Sequence, residues 1–161
     1  MTETMNAYID CLRKCAEQCV VLRACEQEKR RALISGDLSR INTMLQTQQA
    51  EIMKLGQLEQ KRVEAQAAAG FADMTGEQML AAMHSTPEEE RQTVRALLTE
   101  LRDLAADIAA LNESAIKLAK GSLRMYEQAF RQGAAEQRAT YGPKAQSRAE
   151  FASGTSFKET I

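Results

Sequence analysis

The sequence contains few of the residues that build β-sandwiches and barrels. Aromatic residues make up only 4% of its 161 positions, tryptophan is absent and there are two prolines. Sheet folds draw heavily on aromatic and β-branched side chains, whereas long packed helices tolerate their scarcity. The composition therefore predicts an all-α protein, and the length suits one domain with a buried core.

An excess of charge of either sign is also missing. The chain has 21 basic and 22 acidic residues and a net charge of −1. Nucleic acids and acidic membranes are bound through strongly basic fields, so we predict neither as a partner. No stretch approaches the roughly 20 apolar residues of a membrane span. The amino-terminal MTETMNAYID, interrupted by Glu3 and Asp10, does not resemble a secretory signal. We therefore predict a cytoplasmic protein without membrane insertion.

The first predicted helix covers about residues 2–34. Apolar and thiol side chains recur there at intervals of three and four, the spacing of a seam between packed helices. This seam consists of Met5, Tyr8, Leu12, Cys15, Cys19 and Leu22. A tight turn should follow, because Gly36 can adopt a left-handed conformation and Asp37 can cap a new helix.

The second predicted helix covers about 38–69 and repeats the same rhythm. Its predicted seam is Leu38, Ile41, Leu45, Gln48, Ile52 and Leu55. A short helix at 76–84 should begin with a Thr-x-x-Gln capping box at Thr75.

The last predicted helix covers about 87–138. Thr86 as N-cap and Pro87 as the first helical residue are a strong start signal. A seam follows from Val94 to Ala129, and Asn112 and Gly121 are the positions where the helix could kink.

Together these elements predict an elongated antiparallel bundle of three long helices plus one short connecting helix. Residues 1–138 would form the bundle domain. Residues 139–161 lose all periodicity and are rich in Ser, Gly and Ala, so we predict a mobile C-terminal tail there.

Helix lengths point to a surface near the end of the last helix. At about 1.5 Å per residue, two helices of roughly 48 Å cannot cover one of roughly 75 Å, so its C-terminal third should lack a partner. An apolar face without a partner indicates a binding surface. The predicted binding residues are Leu118, Leu123, Met125, Tyr126 and Phe130. The alternatives are that the short helix or a second copy of the chain covers this face.

Signals for enzymatic chemistry are scarce. His84 is the single histidine and precedes a helix start, where a loop or capping role fits better than a general base. There is no glycine-rich phosphate loop after a strand. We predict no enzymatic activity and no cofactor. The helical glutamates are expected to be solvated surface charges, namely Glu26, Glu28, Glu51, Glu59 and Glu64.

All cysteines lie in the first helix, at Cys11, Cys15, Cys19 and Cys25. At 100° per residue they share an arc of about 120°. Cysteine packs well in a helical seam, and no other helix supplies Cys or His to complete a zinc site, so core packing is the preferred interpretation. Binding of a soft metal such as copper and a redox role are the alternatives.

The order of several motifs resembles FlgN-type flagellar type III export chaperones. The motifs are Glu28-x-x-x-Ala32-Leu33-Ile34-Ser35-Gly36-Asp37-Leu38-x-x-Ile41, Leu111-Asn112, Leu118, Ser122-Leu123 and Tyr141-Gly142-Pro143. The resemblance implies an all-helical cytoplasmic chaperone that works without nucleotide. It implies as partners the hook-associated proteins FlgK and FlgL, bound through their C-terminal helices, and the export-gate component FlhA. It also implies that the C-terminal helical region binds these clients, which includes the five binding residues named above. A coiled-coil adaptor that forms a homodimer is a further possibility.

Overall fold

The structure is a computed structural model that describes residues 2–140. It contains four helices and no strand within that range: α1 (Glu3–Ser35), α2 (Leu38–Ala68), α3 (Gly76–Ala82) and α4 (Glu88–Thr140). Three long helices and one short helix confirm the predicted all-α class. The predicted tail at 139–161 lies, from residue 141 onward, outside the described residues.

Local sequence signals account for the turns between the helices. Gly36 ends α1 with φ +70°, and its N–H donates to the Ala32 carbonyl at 3.1 Å. The Asp37 carboxylate then accepts from the Arg40 N–H at 3.0 Å and caps α2. The capping box predicted at Thr75 is present, with Gln78 as its second member.

The long helices alternate in direction. The Gln18 amide donates to the Glu51 carboxylate at 2.6 Å, whereas Glu28, further along α1, meets Arg40, nearer the start of α2, at 2.8 Å. These contacts make α1 and α2 antiparallel. Arg23 meets Asp107 at 3.2 Å and Arg30 meets Ser114 at 3.3 Å. Residue numbers rise together in those two pairs, so α4 runs parallel to α1.

Two clusters of buried side chains join α1, α3 and α4, and partly buried residues of α2, among them Leu55 and Ala65, pack against them. The first joins α1, α3 and α4 and consists of Met5, Tyr8, Ile9, Leu12, Met79, Met83 and Val94. The second joins α1 to α4 and consists of Ala16, Cys19, Leu22, Leu104 and Ile108. All six residues of the seam predicted for α1 are buried. Burial of side chains of this size stabilises a fold by roughly 1.5–3 kcal/mol each.

The seam predicted for α2 is wrong in half of its positions. Leu38 is 76% exposed, and Leu45 and Ile52 are each 39% exposed. The residues of α2 that face α1 include polar ones, namely Gln48, Glu51 and Arg62. Polar side chains take these positions because α1 supplies hydrogen-bond partners for them.

The prediction that all five helical glutamates are solvated surface charges is wrong for Glu26. Glu26 is 2% exposed, so it is not a solvated surface charge. Its carboxylate pairs with Lys29 at 2.8 Å and accepts a hydrogen bond from the Gln48 amide. Glu51 and Glu59 are half-buried, because their carboxylates serve contacts between or along the helices.

The helix α4 has no break at Asn112 or Gly121. The chain nevertheless divides into two compact units, Met1–Ser122 and Leu123–Ile161. Both core clusters belong to the first unit. Within residues 2–140, no helix is long and apolar enough to cross a membrane.

Candidate partner-binding surface

Four of the five predicted binding residues lie in the second unit, and all four are strongly exposed. Leu123 is 59% exposed, Met125 72%, Tyr126 69% and Phe130 78%. Leu118 belongs to the first unit and is half-buried. Large apolar side chains with this exposure, gathered within eight positions of one helix, differ from the scattered exposed residues of ordinary surfaces.

These four residues do not share one face of the helix. At 100° per residue, Leu123, Tyr126 and Phe130 fall within an arc of about 60°. Met125 lies about 100° from Tyr126. We call the first three residues the α4 stripe. It presents one leucine and two aromatic rings as a narrow, continuous surface, and Met125 stands apart from it.

Two basic residues lie on one side of the α4 stripe. Arg124 and Arg131 are exposed and project about 80–100° from Leu123, and Glu127 lies between them and the stripe. The charged group nearest to the stripe on this side is therefore the Glu127 carboxylate, with the two guanidinium groups beyond it.

The cysteines form a packed part of the first unit. Cys15, Cys19 and Cys25 are buried, and Cys11 is half-buried. Burial, with the nearby Glu59 carboxylate as a second cause, raises the pKa of Cys15 to about 12. Burial likewise raises the pKa of Cys19 and Cys25. A metal is bound by the thiolate, so raised thiol pKa values disfavour ligation. Among residues 2–140, no group of three or more Cys, His, Asp or Glu side chains is placed to hold a metal ion.

His84 is exposed in the turn between α3 and α4, where the sequence placed it.

A buried polar network joins the three long helices and was missed in the sequence. Glu26 and Lys29 of α1 form an ion pair. Glu26 also accepts a hydrogen bond from Gln48 of α2, and Lys29 donates one to Asn112 of α4. A signal for it existed. Extending the seam of α1 beyond Leu22 in steps of four and three reaches Glu26 and then Lys29. A polar Gln48 in the opposite seam needed a partner of this kind.

Comparison with known families now gives the class of protein. The family model described as FlgN protein matches residues 1–149, nearly the whole chain. The chain therefore belongs to the FlgN family, and the resemblance seen in the sequence is confirmed. Comparisons with curated proteins and with solved structures gave no match.

Proposed function

We propose that this protein is a cytoplasmic export chaperone for flagellar hook-associated proteins of the FlgK and FlgL type. It would bind their C-terminal helices, prevent premature assembly and bring them to an FlhA-like component of the type III export gate. Membership of the FlgN family is the observation that carries the proposal. The helical region at 1–138 would be the chaperone domain.

The α4 stripe is the proposed client site. Client helices assemble through apolar seams, so a free client exposes side chains that need a temporary partner. Leu123, Tyr126 and Phe130 offer such a partner, since each is more than half exposed. Burying three side chains of this size contributes at most roughly 4.5–9 kcal/mol, and association itself costs about 4–15 kcal/mol. The three residues alone therefore give weak binding, and a stable complex needs further contacts with the client.

Leu118 and Met125 would extend the site rather than form its centre. Leu118 is already half-buried within the first unit, so it has less surface to contribute. Met125 projects from another side of the helix, and a flexible thioether suits contact with varied clients.

The decisive experiment is co-purification of the chaperone with each hook-associated protein. The test variant carries both Tyr126→Ala and Phe130→Ala. The matched control carries Gln128→Ala and Gln132→Ala, which change two exposed residues on the opposite side of the same helix segment. We expect the test variant to lose client binding at least about tenfold and the control to keep it.

Two results would contradict the proposal. Undiminished binding by the Tyr126 and Phe130 variant would remove the site assignment. Failure of the unmodified chain to bind any hook-associated protein would remove the function. Delivery is tested separately, by measuring whether the chaperone–client complex binds the cytoplasmic part of an FlhA-like protein.

A further inference from the structure

The helix α2 carries a second heptad seam on its outer side. At 100° per residue, one face within about 40° of Leu38 bears residues spaced 4, 3, 4, 3 and 4. This α2 stripe consists of Leu38, Asn42, Leu45, Gln49, Ile52 and Gly56. All six are exposed, including leucines at 76% and 39% and the isoleucine at 39%. The face is distinct from the one that packs on α1.

The α2 stripe carries no charge. The helix has seven charged residues among its 31, yet none falls on this face. An exposed helical face of a free monomer normally collects such residues, because they are solvated there. Their absence indicates that the face contacts something other than water.

Gly56 is a second feature that the fold itself does not explain. It lies inside α2, where glycine is unfavourable relative to alanine. A Cβ built on it would meet nothing within 4 Å, and its φ is not in the left-handed region. Within residues 2–140, neither a turn nor a close neighbour requires a glycine here. A bulky group of another molecule that packs closely on this position would require a glycine.

We propose that a second copy of this chain packs on the α2 stripe, with the two α2 helices antiparallel. Their two-fold axis would cross the stripe midway between Leu45 and Gln49, at the height of Thr47. The numbers of opposed residues then sum to the same value. Leu45 lies opposite Gln49 of the second copy, Asn42 opposite Ile52, and Leu38 opposite Gly56. Because the axis is two-fold, every layer occurs twice.

The partner that best fits the chemistry of the α2 stripe is the same stripe of a second copy. Each layer combines one apolar residue with one amide or glycine, so two large aliphatic side chains never meet. The space at Gly56 accepts the most exposed apolar residue of the stripe, Leu38 of the second copy. A parallel pair would instead place Gly56 opposite Gly56 and leave a gap. A charged partner would need a charged face, and this one is neutral.

The dimer should be reversible. The stripe covers 19 residues, from Leu38 to Gly56, or about 27 Å of helix, which is short for an obligate interface. This surface lies in the first unit, whereas the α4 stripe lies in the second. The dimer proposal therefore stands or falls independently of the client proposal.

The test is sedimentation of the full chain, with its cysteines kept reduced, across a wide range of concentration. We expect a monomer–dimer equilibrium. L45E and Q49K should each weaken dimerisation by at least about tenfold, because a charge would be buried opposite an uncharged residue. An equimolar mixture of L45E and Q49K should dimerise again, since the antiparallel register places the new carboxylate opposite the new ammonium group.

Controls separate the α2 stripe from other surfaces and from misfolding. A50E puts the same charge on an exposed position about 140° from Leu45 and should leave dimerisation unchanged. Circular dichroism must show that L45E and Q49K keep the helical content of the parent. Q49K is the safer variant, because Gln49 is an exposed polar residue, whereas Leu45 is apolar and only 39% exposed.

Any of four results would overturn the proposal. These are a parent that stays monomeric at every concentration, an A50E effect as large as that of L45E, folded L45E and Q49K variants that fail to dimerise when mixed, and a dimer abolished by Tyr126→Ala with Phe130→Ala. The last result would assign the dimer to the α4 stripe instead.

Discussion

The ammonium group of Lys29 donates a hydrogen bond to the side-chain oxygen of Asn112 at 3.3 Å and joins α1 to α4 inside the bundle. The same ammonium pairs with the Glu26 carboxylate at 2.8 Å, and Glu26 in turn accepts from Gln48 of α2. One buried charge pair thus touches all three long helices. Apolar heptad seams can slide by one repeat at little cost, whereas such a network permits one register only.

Removing one partner of this network should destabilise the protein strongly. Lys29→Met leaves the Glu26 carboxylate buried without its counter-charge, which we expect to lower the free energy of unfolding by about 3 kcal/mol. Combining Lys29→Met with Glu26→Gln removes both charges and should recover most of that loss. Urea denaturation of the two variants measures the difference. Equal stability of the single and double variants would show that the unpaired Glu26 carboxylate carries no cost.

Truncation of a leucine should distinguish the core from the outer side of α2. Leu12 is fully buried, so Leu12→Ala should lower the free energy of unfolding by about 2–5 kcal/mol. Leu38 is the matched control, because it is also a leucine but is 76% exposed. Leu38→Ala should change the free energy of unfolding by less than about 1 kcal/mol. Both are measured by urea denaturation at low protein concentration. A large loss from Leu38→Ala would restore the seam that the sequence first suggested.

Replacing Gly36 and Gly56 by alanine should change the stability of the protein in opposite directions. Gly36 has φ +70°, so Gly36→Ala should destabilise the protein by about 1 kcal/mol. Gly56 lies in regular helix with open space around it, so Gly56→Ala should stabilise the monomer by up to about 1 kcal/mol. Thermal unfolding of dilute samples tests both. The pair would contradict this account if Gly56→Ala also destabilised the monomer.

The buried thiols should make stability fall at alkaline pH. Burial raises the pKa of Cys15 to about 12 from an ordinary value of 9.0. The folded state therefore keeps a proton that the unfolded state loses above about pH 9. The stabilisation is complete below pH 9 and declines as the pH rises towards 12. Cys15→Ala should flatten this decline, as measured by urea denaturation between pH 8 and about 11. An unchanged slope in that variant would contradict the assignment.

Sequence reasoning succeeded where apolar periodicity and turn chemistry agree. The seam of α1 from Met5 to Leu22 is buried throughout, and the turn at Gly36 has the predicted left-handed conformation. Both depend on local physics. Side chains at intervals of three and four share a face, and glycine adopts positive φ without steric strain.

The register of α2 could not be predicted in this way. Its sequence contains two stripes with heptad spacing, and the one through Leu38 and Leu45 lies outside. The inner stripe includes Gln48 and Glu51, which are accommodated there because α1 presents Glu26 and Gln18 as partners. A helix read by itself does not reveal such partners. The same applies to the candidate client site, where the sequence identified the apolar residues but placed Met125 beside rings from which it is turned away.

The packing of α3 makes the stability of the first unit uneven along its length. Met79 and Met83 are almost fully buried against Met5 and the beginning of α4. At the opposite end, Ile34 beside the turn at Gly36 is 63% exposed. Amide hydrogens should therefore exchange slowest near α3, and spontaneous opening should begin at the turn between α1 and α2. The chain can separate these two helix ends briefly while the other end of the bundle stays closed.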